Sequence, residues 1–225
     1  MVAVSGPAPT RVLVVDDDGV VRAGLRLMLD GNDGLRVVGE AGDGQQALVE
    51  ADRLRPHVVL MDIRMPRMDG LKATRALMVG PEPPRVIVLT TFDADALVLE
   101  ALGAGADGFL LKDTPPTDIV SAIRRVADGE PMLSPSATRT VLARLRNDDD
   151  DRVHMRDARR RLATLTDRER DVALAVGRGL SNGEIARELH LSVATVKGHV
   201  VQLFHKLEAV NRVQVALRVH DARLQ

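Results

Sequence analysis

The chain has 225 residues, enough for two ordinary domains or one large one, and its 45% apolar and 28% charged content is that of a soluble globular protein. With no cysteine, a disulfide framework, a thiolate nucleophile and a zinc–thiolate site are excluded; a reducing cytoplasm is the expected compartment, because residues 1–10 lack a signal-like start and no run approaches a membrane span. The net charge of −1 hides a division: residues 1–151 carry 17 Lys and Arg against 24 Asp and Glu, and residues 152–225 carry 14 against 8, a basic half suited to a polyanion.

From Arg11 to about Asp128 short β-branched, apolar runs alternate with helix-like segments. The patterning predicts strand 12–15, helix 19–30, strand 35–39, helix 44–54, strand 58–61 and helix 69–79. Strand 86–89, helix 94–104, strand 108–111 and helix 116–128 follow. Five buried strands alternating with five helices predict an α/β doubly wound five-stranded parallel sheet. After Gly129-Glu130-Pro131 the strand signal stops. Ser134 to Arg146 reads as helix, Asn147 to Asp151 as a solvated acidic linker, and Arg152 to Ala163 as a basic helical segment. The remainder reads as helix throughout. Thr166 with Glu169 and Ser181 with Glu184 have capping-box spacing, and Ser192 and Asn211 are further N-caps. Only His190-Leu191-Ser192 separates the second and third of these four helices, the spacing of a helix-turn-helix. The expected division is 10–129, a partly helical linker over 130–163, and an all-α domain over 164–225.

In open α/β sheets chemistry gathers beyond the carboxyl ends of the strands. Four strands here are followed by Asp16-Asp17-Asp18, Asp62, Thr90 and Lys112. A lone Asp after a strand is more often a helix cap, but suitable groups at four strand ends argue against coincidence. Carboxylates gathered on one rim repel unless a hard cation sits among them, and oxygen-only ligands favour Mg²⁺. A Thr90 hydroxyl and a Lys112 ammonium can hold phosphoryl oxygens, which makes Asp62 the natural acceptor, forming an acyl phosphate. Neither a GxxxxGK[ST] phosphate loop nor a GxSxG serine occurs.

Residues 11–128 resemble the receiver domain of two-component response regulators, through VLVVDDD, VVLMDIRMPRMDG, VIVLTT and GADGFLLKD. The resemblance implies a flavodoxin-like fold with Asp62 phosphorylated by a sensor histidine kinase. It further implies Mg²⁺ bound directly by Asp17 and Asp62, through water by Asp16, and by the backbone carbonyl of Arg64. Thr90 and Phe109 match the family's switch pair, although plain core packing accounts for Phe109 equally well. Asp113 departs from the proline many receivers carry after the lysine.

Leu165 to Leu207 resembles the four-helix DNA-binding domain of NarL/LuxR-type regulators. The residues agree independently, since Val196, Val200, Leu203, Phe204 and Leu207 form one apolar stripe at helical spacing. The opposite arc holds Ala194, Thr195, Gly198, Val201, Gln202 and His205, flanked by Lys197 and Lys206. A helix presenting small, apolar and basic groups can enter a major groove, so Thr195, Lys197, Gly198, Val201 and Lys206 are the candidate contacts to double-stranded DNA. Val201 stands where relatives often carry a polar or basic side chain, so the base sequence bound does not transfer. By resemblance the last helix, Arg212 to about Ala222, is a homodimer interface, though half its apolar surface could close the monomer's own core.

The expectation is a non-enzymatic transcription regulator switched by phosphorylation of Asp62. Two alternatives are a phosphorylation-independent orphan regulator and a Mg²⁺-dependent phosphohydrolase using Asp62. Haloacid-dehalogenase-type phosphatases want a second acid two residues after the nucleophile, where this chain has Arg64.

Overall fold

A computed structural model describes residues 8–80, 82–91, 95–146 and 158–222, the side chains of 145 and 146 excepted. Its first unit alternates β1 (Thr10–Val15), α1 (Gly19–Asp30), β2 (Leu35–Ala41), α2 (Gly44–Leu54), β3 (Val58–Met61) and α3 (Gly70–Leu77). It continues through β4 (Arg85–Thr90), α4 (Asp95–Ala104), β5 (Gly108–Leu111) and α5 (Pro116–Ala127). All strand pairs are parallel, in the order β2-β1-β3-β4-β5-β6.

The runs are apolar throughout because both faces of the sheet are covered. Val12, Val14, Val58, Leu60, Ile87 and Leu89 point to the side of α1 and α5, packing on Leu29, Ile119, Ile123 and Val126. Their alternates Leu13, Val15, Val59, Met61 and Val86 pack on Ala47, Ala51, Ala73 and Leu77 of α2 and α3. Val88 and Phe109 meet Val98 and Leu102 of α4.

The sheet has six strands where the sequence indicates five. The sixth, β6 (Met132–Leu133), pairs with β5 after the point where the strand signal stops. Two residues are too few for any periodicity; what recruits them is the open edge of β5, whose backbone groups need partners. Met132 N–H donates to Asp107 O at 3.2 Å and Ser134 N–H to Phe109 O at 2.9 Å. Helix α6 (Pro135–Arg146) then lies on α4, with Ala137 buried in the Phe109 cluster and the Thr140 hydroxyl bonded to the Asp95 carboxylate. The first part of the segment read as a linker is thus packed on the sheet. Its last described part, helix α7 over residues 158–162, buries Ala158 and Leu162 in the second core. The acidic block 147–151 lies outside the described residues.

The second unit comprises α8 (Asp167–Gly177), α9 (Asn182–Glu188), α10 (Val193–Lys206) and α11 (Arg212–Asp221). Both capping boxes form, Thr166 with Glu169 and Ser181 with Glu184, and Ser192 and Asn211 cap α10 and α11. Val172, Val176, Ile185, Val196, Val200, Leu203 and Leu207 make the core, closed by Val215, Val219 and Ala222 of α11. Part of the apolar surface of α11 therefore closes its own unit. The rest, Val213 and Leu217, joins the α4 cluster of the first unit. No helix among the described residues is long and apolar enough to cross a membrane.

Candidate functional site

Parallel register places the ends of β1, β3, β4 and β5 on one rim, with Val15 opposite Met61 and Thr90 opposite Leu111. The polar residue after each strand is thereby delivered to the same place. Asp16, Asp17 and Asp62 bring one carboxylate oxygen each within 4.8 Å of the others. Asp16 and Asp62 are buried and Asp17 is exposed. Lys112 Nζ lies 2.6 Å from Asp16 Oδ2 and 3.1 Å from Asp62 Oδ2. The acceptor face of Asp62 is fixed further by the Ile63 N–H, which donates to Oδ1 at 2.8 Å. Asp18 does different work: its side chain caps α1 through the Val20 N–H, while its own N–H donates to Asp16 Oδ1 at 3.0 Å.

Three carboxylates face one ammonium, so the rim keeps net negative charge. Burial pushes the Asp62 carboxyl above its ordinary pKa, and the hydrogen bond from Lys112 only partly opposes this. Burial would lower Lys112, but hydrogen bonds to Asp16 and Asp62 outweigh it and leave the ammonium raised. An all-oxygen donor set, two of its three carboxylates withdrawn from water and only partly neutralised, suits a hard divalent cation such as Mg²⁺.

Thr90, fully buried, ends β4, and its carbonyl accepts the Lys112 N–H at 2.9 Å. Phe109 lies deeper, fully buried among Ile63, Val88, Leu102 and Ala137, so the position is a packed core position here. Arg64 is exposed on the loop following Ile63. One residue with no role assigned from sequence is Gly70: a Cβ there would sit 1.9 Å from Asp62 O, so only glycine lets α3 begin beneath the acidic loop. Its position immediately after the α3 cap Asp69 was the available signal.

On the second unit, Ala194, Thr195, Lys197, Gly198, Val201, Gln202 and His205 of α10 are exposed, opposite the buried stripe. The Thr195 hydroxyl is 2.8 Å from Ser192 Oγ, within the N-cap of α10. Lys197 Nζ pairs with Asp128 of the first unit at 3.3 Å. Lys206 is turned inward: Nζ donates to Glu169 Oε2 at 2.7 Å and, with the Thr166 backbone N–H, holds that carboxyl down at about 2. Val201, Phe204 and His205 line a cavity of about 550 Å³ whose far wall is Pro83, Pro84, Arg85 and Asp107. The Arg85 guanidinium stands 5.8 Å from the Phe204 ring centroid, a cation–π contact between the units. The C-terminal half of α10 therefore faces the sheet unit.

Residues 12–124 match the family described as the response regulator receiver domain, and residues 163–219 match bacterial regulatory proteins of the luxR family. The transcriptional regulatory protein LiaR of Bacillus subtilis is 36% identical over 214 residues, covering 95% of this chain and 98% of LiaR. The nitrate/nitrite response regulator NarL of Escherichia coli is 34% identical over 220 residues, covering 98% of this chain and 99% of NarL. The crystal structure of ChrA, the response regulator of a heme-sensing two-component system, aligns with TM-score 0.52 at 35% identity, over 97% of this chain and all of ChrA. An acidic-rimmed α/β unit joined to a helix-turn-helix unit defines a DNA-binding transcription regulator, not an enzyme. The chain belongs to the NarL/LuxR family of response regulators.

Proposed function

We propose that this regulator is switched by phosphoryl transfer from a sensor histidine kinase to Asp62. The observation that carries the reading is the Asp62 carboxylate, buried, bonded to Lys112 at 3.1 Å, and sharing a 4.8 Å cluster with Asp16 and Asp17. An Asp62 oxygen attacks phosphorus in line, the phosphohistidine imidazole leaves, and an acyl phosphate remains. Asp17, Asp62 and the Arg64 carbonyl, with Asp16 acting through water, would hold Mg²⁺, which when bound would supply positive charge against the transferring group. Lys112 supplies the protein's own positive charge there, and the Thr90 hydroxyl follows the phosphoryl oxygens.

The output is binding of double-stranded DNA as a homodimer, in the cytoplasm. Thr195, Lys197, Gly198 and Val201 are offered by the exposed face of α10, and Lys206 serves after release from Glu169. The pairing of Lys197 with Asp128 and the cavity against Val201 favour a resting state in which the receiver covers part of this face. The test is Asp62→Asn in full-length protein, with phosphoramidate and Mg²⁺ as donor. Wild type should gain dimerisation and affinity for genomic DNA fragments and the variant should not; equal gains in both would sink the phosphoryl switch.

A further inference from the structure

The loop from β3 to α3, residues 62–69, begins at Asp62 and has to turn back sharply for Asp69 to cap α3. The turn is made at Arg67, whose φ is +62°, in the left-handed region that residues bearing a Cβ rarely adopt. Glycine would take this conformation freely; arginine brings a side chain that holds it. Arg67 Nε donates to Asp43 Oδ2 at 2.8 Å, and a terminal guanidinium nitrogen donates to the same oxygen. Asp43 is fully buried at the N-cap of α2, where Oδ1 accepts the Gln46 N–H at 2.9 Å. The main chain is drawn to the same point, with Gly44 N–H donating to Met68 O at 3.0 Å. A Cβ on Gly44 would lie 2.8 Å from that carbonyl, so the loop lies directly on the start of α2. At its other side Gly70 N–H donates to Ile63 O at 2.9 Å, and Ile63 N–H is the donor to Asp62 Oδ1. The far end of the loop is therefore pinned by Asp43, and its near end orients the Asp62 carboxylate.

We propose that the Arg67–Asp43 ion pair is a positioning clamp for phosphorylation, setting the rate at Asp62 without touching the phosphoryl group or the cation. The clamp rests on the reading of Asp62 as the phosphoacceptor. Without the pair, a residue in a disfavoured conformation has nothing holding it. The turn relaxes, and the movement reaches Ile63 through Gly70 and Met68. Asp43 is then a helix cap with a second duty, and α2 part of the phosphoryl site's support.

The experiment uses full-length protein, phosphoramidate and excess Mg²⁺, and follows acyl phosphate at Asp62 with Asp62→Asn as the blank. Arg67→Ala keeps a Cβ at the left-handed position and loses the pair that holds it; it should lower the maximal rate by about five-fold or more, with the half-saturating phosphoramidate concentration unchanged. Asp43→Asn keeps the cap but turns an amide nitrogen toward the guanidinium, and should slow the reaction comparably. The double variant should be no slower than the slower single, as expected of one shared interaction. Arg67→Lys should recover part of the rate. Arg67→Gly, which relieves the turn, should fall less than Arg67→Ala and guards against simple misfolding of the alanine variant. If wild type is labelled and both singles stay within about two-fold of it, or the double variant multiplies their losses, the clamp is overturned. If wild type takes no label, or Asp62→Asn keeps it, the phosphoacceptor reading fails and the clamp with it.

Discussion

Asp107 shows what one buried carboxyl does to this fold. It follows the β4–β5 crossover beside Arg85, which reaches it at 3.1 Å, and it accepts the Val86 N–H at 3.2 Å. Burial nonetheless dominates and lifts its pKa from 3.8 to about 6. Because the folded value lies above the unfolded one, the folded chain holds a proton that the unfolded chain releases between pH 3.8 and about 6. The contribution of Asp107 to stability is therefore fully present below 3.8 and is lost as pH rises through about 6. Asp107→Asn should flatten this part of the profile, measured as urea midpoints at half-unit pH steps; a profile as steep as wild type's would refute the assignment.

Helix α8 and helix α10 are joined by a polar contact as well as by their core. Glu169 closes the capping box of α8 and also receives Lys206, from the last turn of α10. The ammonium also lies at the C-terminal end of α10, where the helix dipole favours positive charge. Lys206→Ala removes both effects while leaving Glu169 little exposed. A loss of about 1 kcal/mol is expected, discounted from a buried charge-assisted bond because Lys206 is partly solvated. Guanidinium denaturation of the variant without DNA measures it. An unchanged midpoint would return Lys206 to an ordinary solvated position.

Between the two units the most buried polar contact among the described residues is that of Asn211. It is fully buried, its Oδ1 caps α11 through the Gln214 N–H at 2.8 Å, and its Nδ2 donates to Leu102 O and Ala106 O at 3.0 and 2.8 Å. Gln214 Nε2 adds a bond of 2.9 Å to Leu102 O. The start of α11 thus sits on the end of α4, with the partial charges of the two helix ends opposed in sign. Helix α4 begins five residues after Thr90 in the chain, so a rearrangement at the rim has a short route to this joint. Asn211→Asp keeps an N-cap and replaces the donor with a carboxylate facing two carbonyls. The units should part, raising the radius of gyration in small-angle scattering and the DNA affinity of unphosphorylated protein. Scattering identical to wild type's would show that the joint is held elsewhere.

Much of this was written locally. Strands 12–15, 58–61 and 108–111 were legible because β-branched apolar runs have no other stable place than a covered sheet, and the rim followed from where parallel strands end. Capping boxes and the α10 stripe were equally plain, since each is settled within one or two turns of helix. What sequence did not disclose lies in pairings across distance. Met132 and Leu133 become a strand only against the open edge of β5, and Arg67 finds Asp43 only because α2 and the β3–α3 loop share one end of the sheet. Lys206 turns to Glu169 and Asn211 to the end of α4 for the same reason. Local burial patterns decide what kind of element forms, since an apolar face must leave water wherever it lies in the chain. Which buried polar atom meets which is set by the assembled fold, because every such group must find a partner and only the tertiary structure brings one within reach.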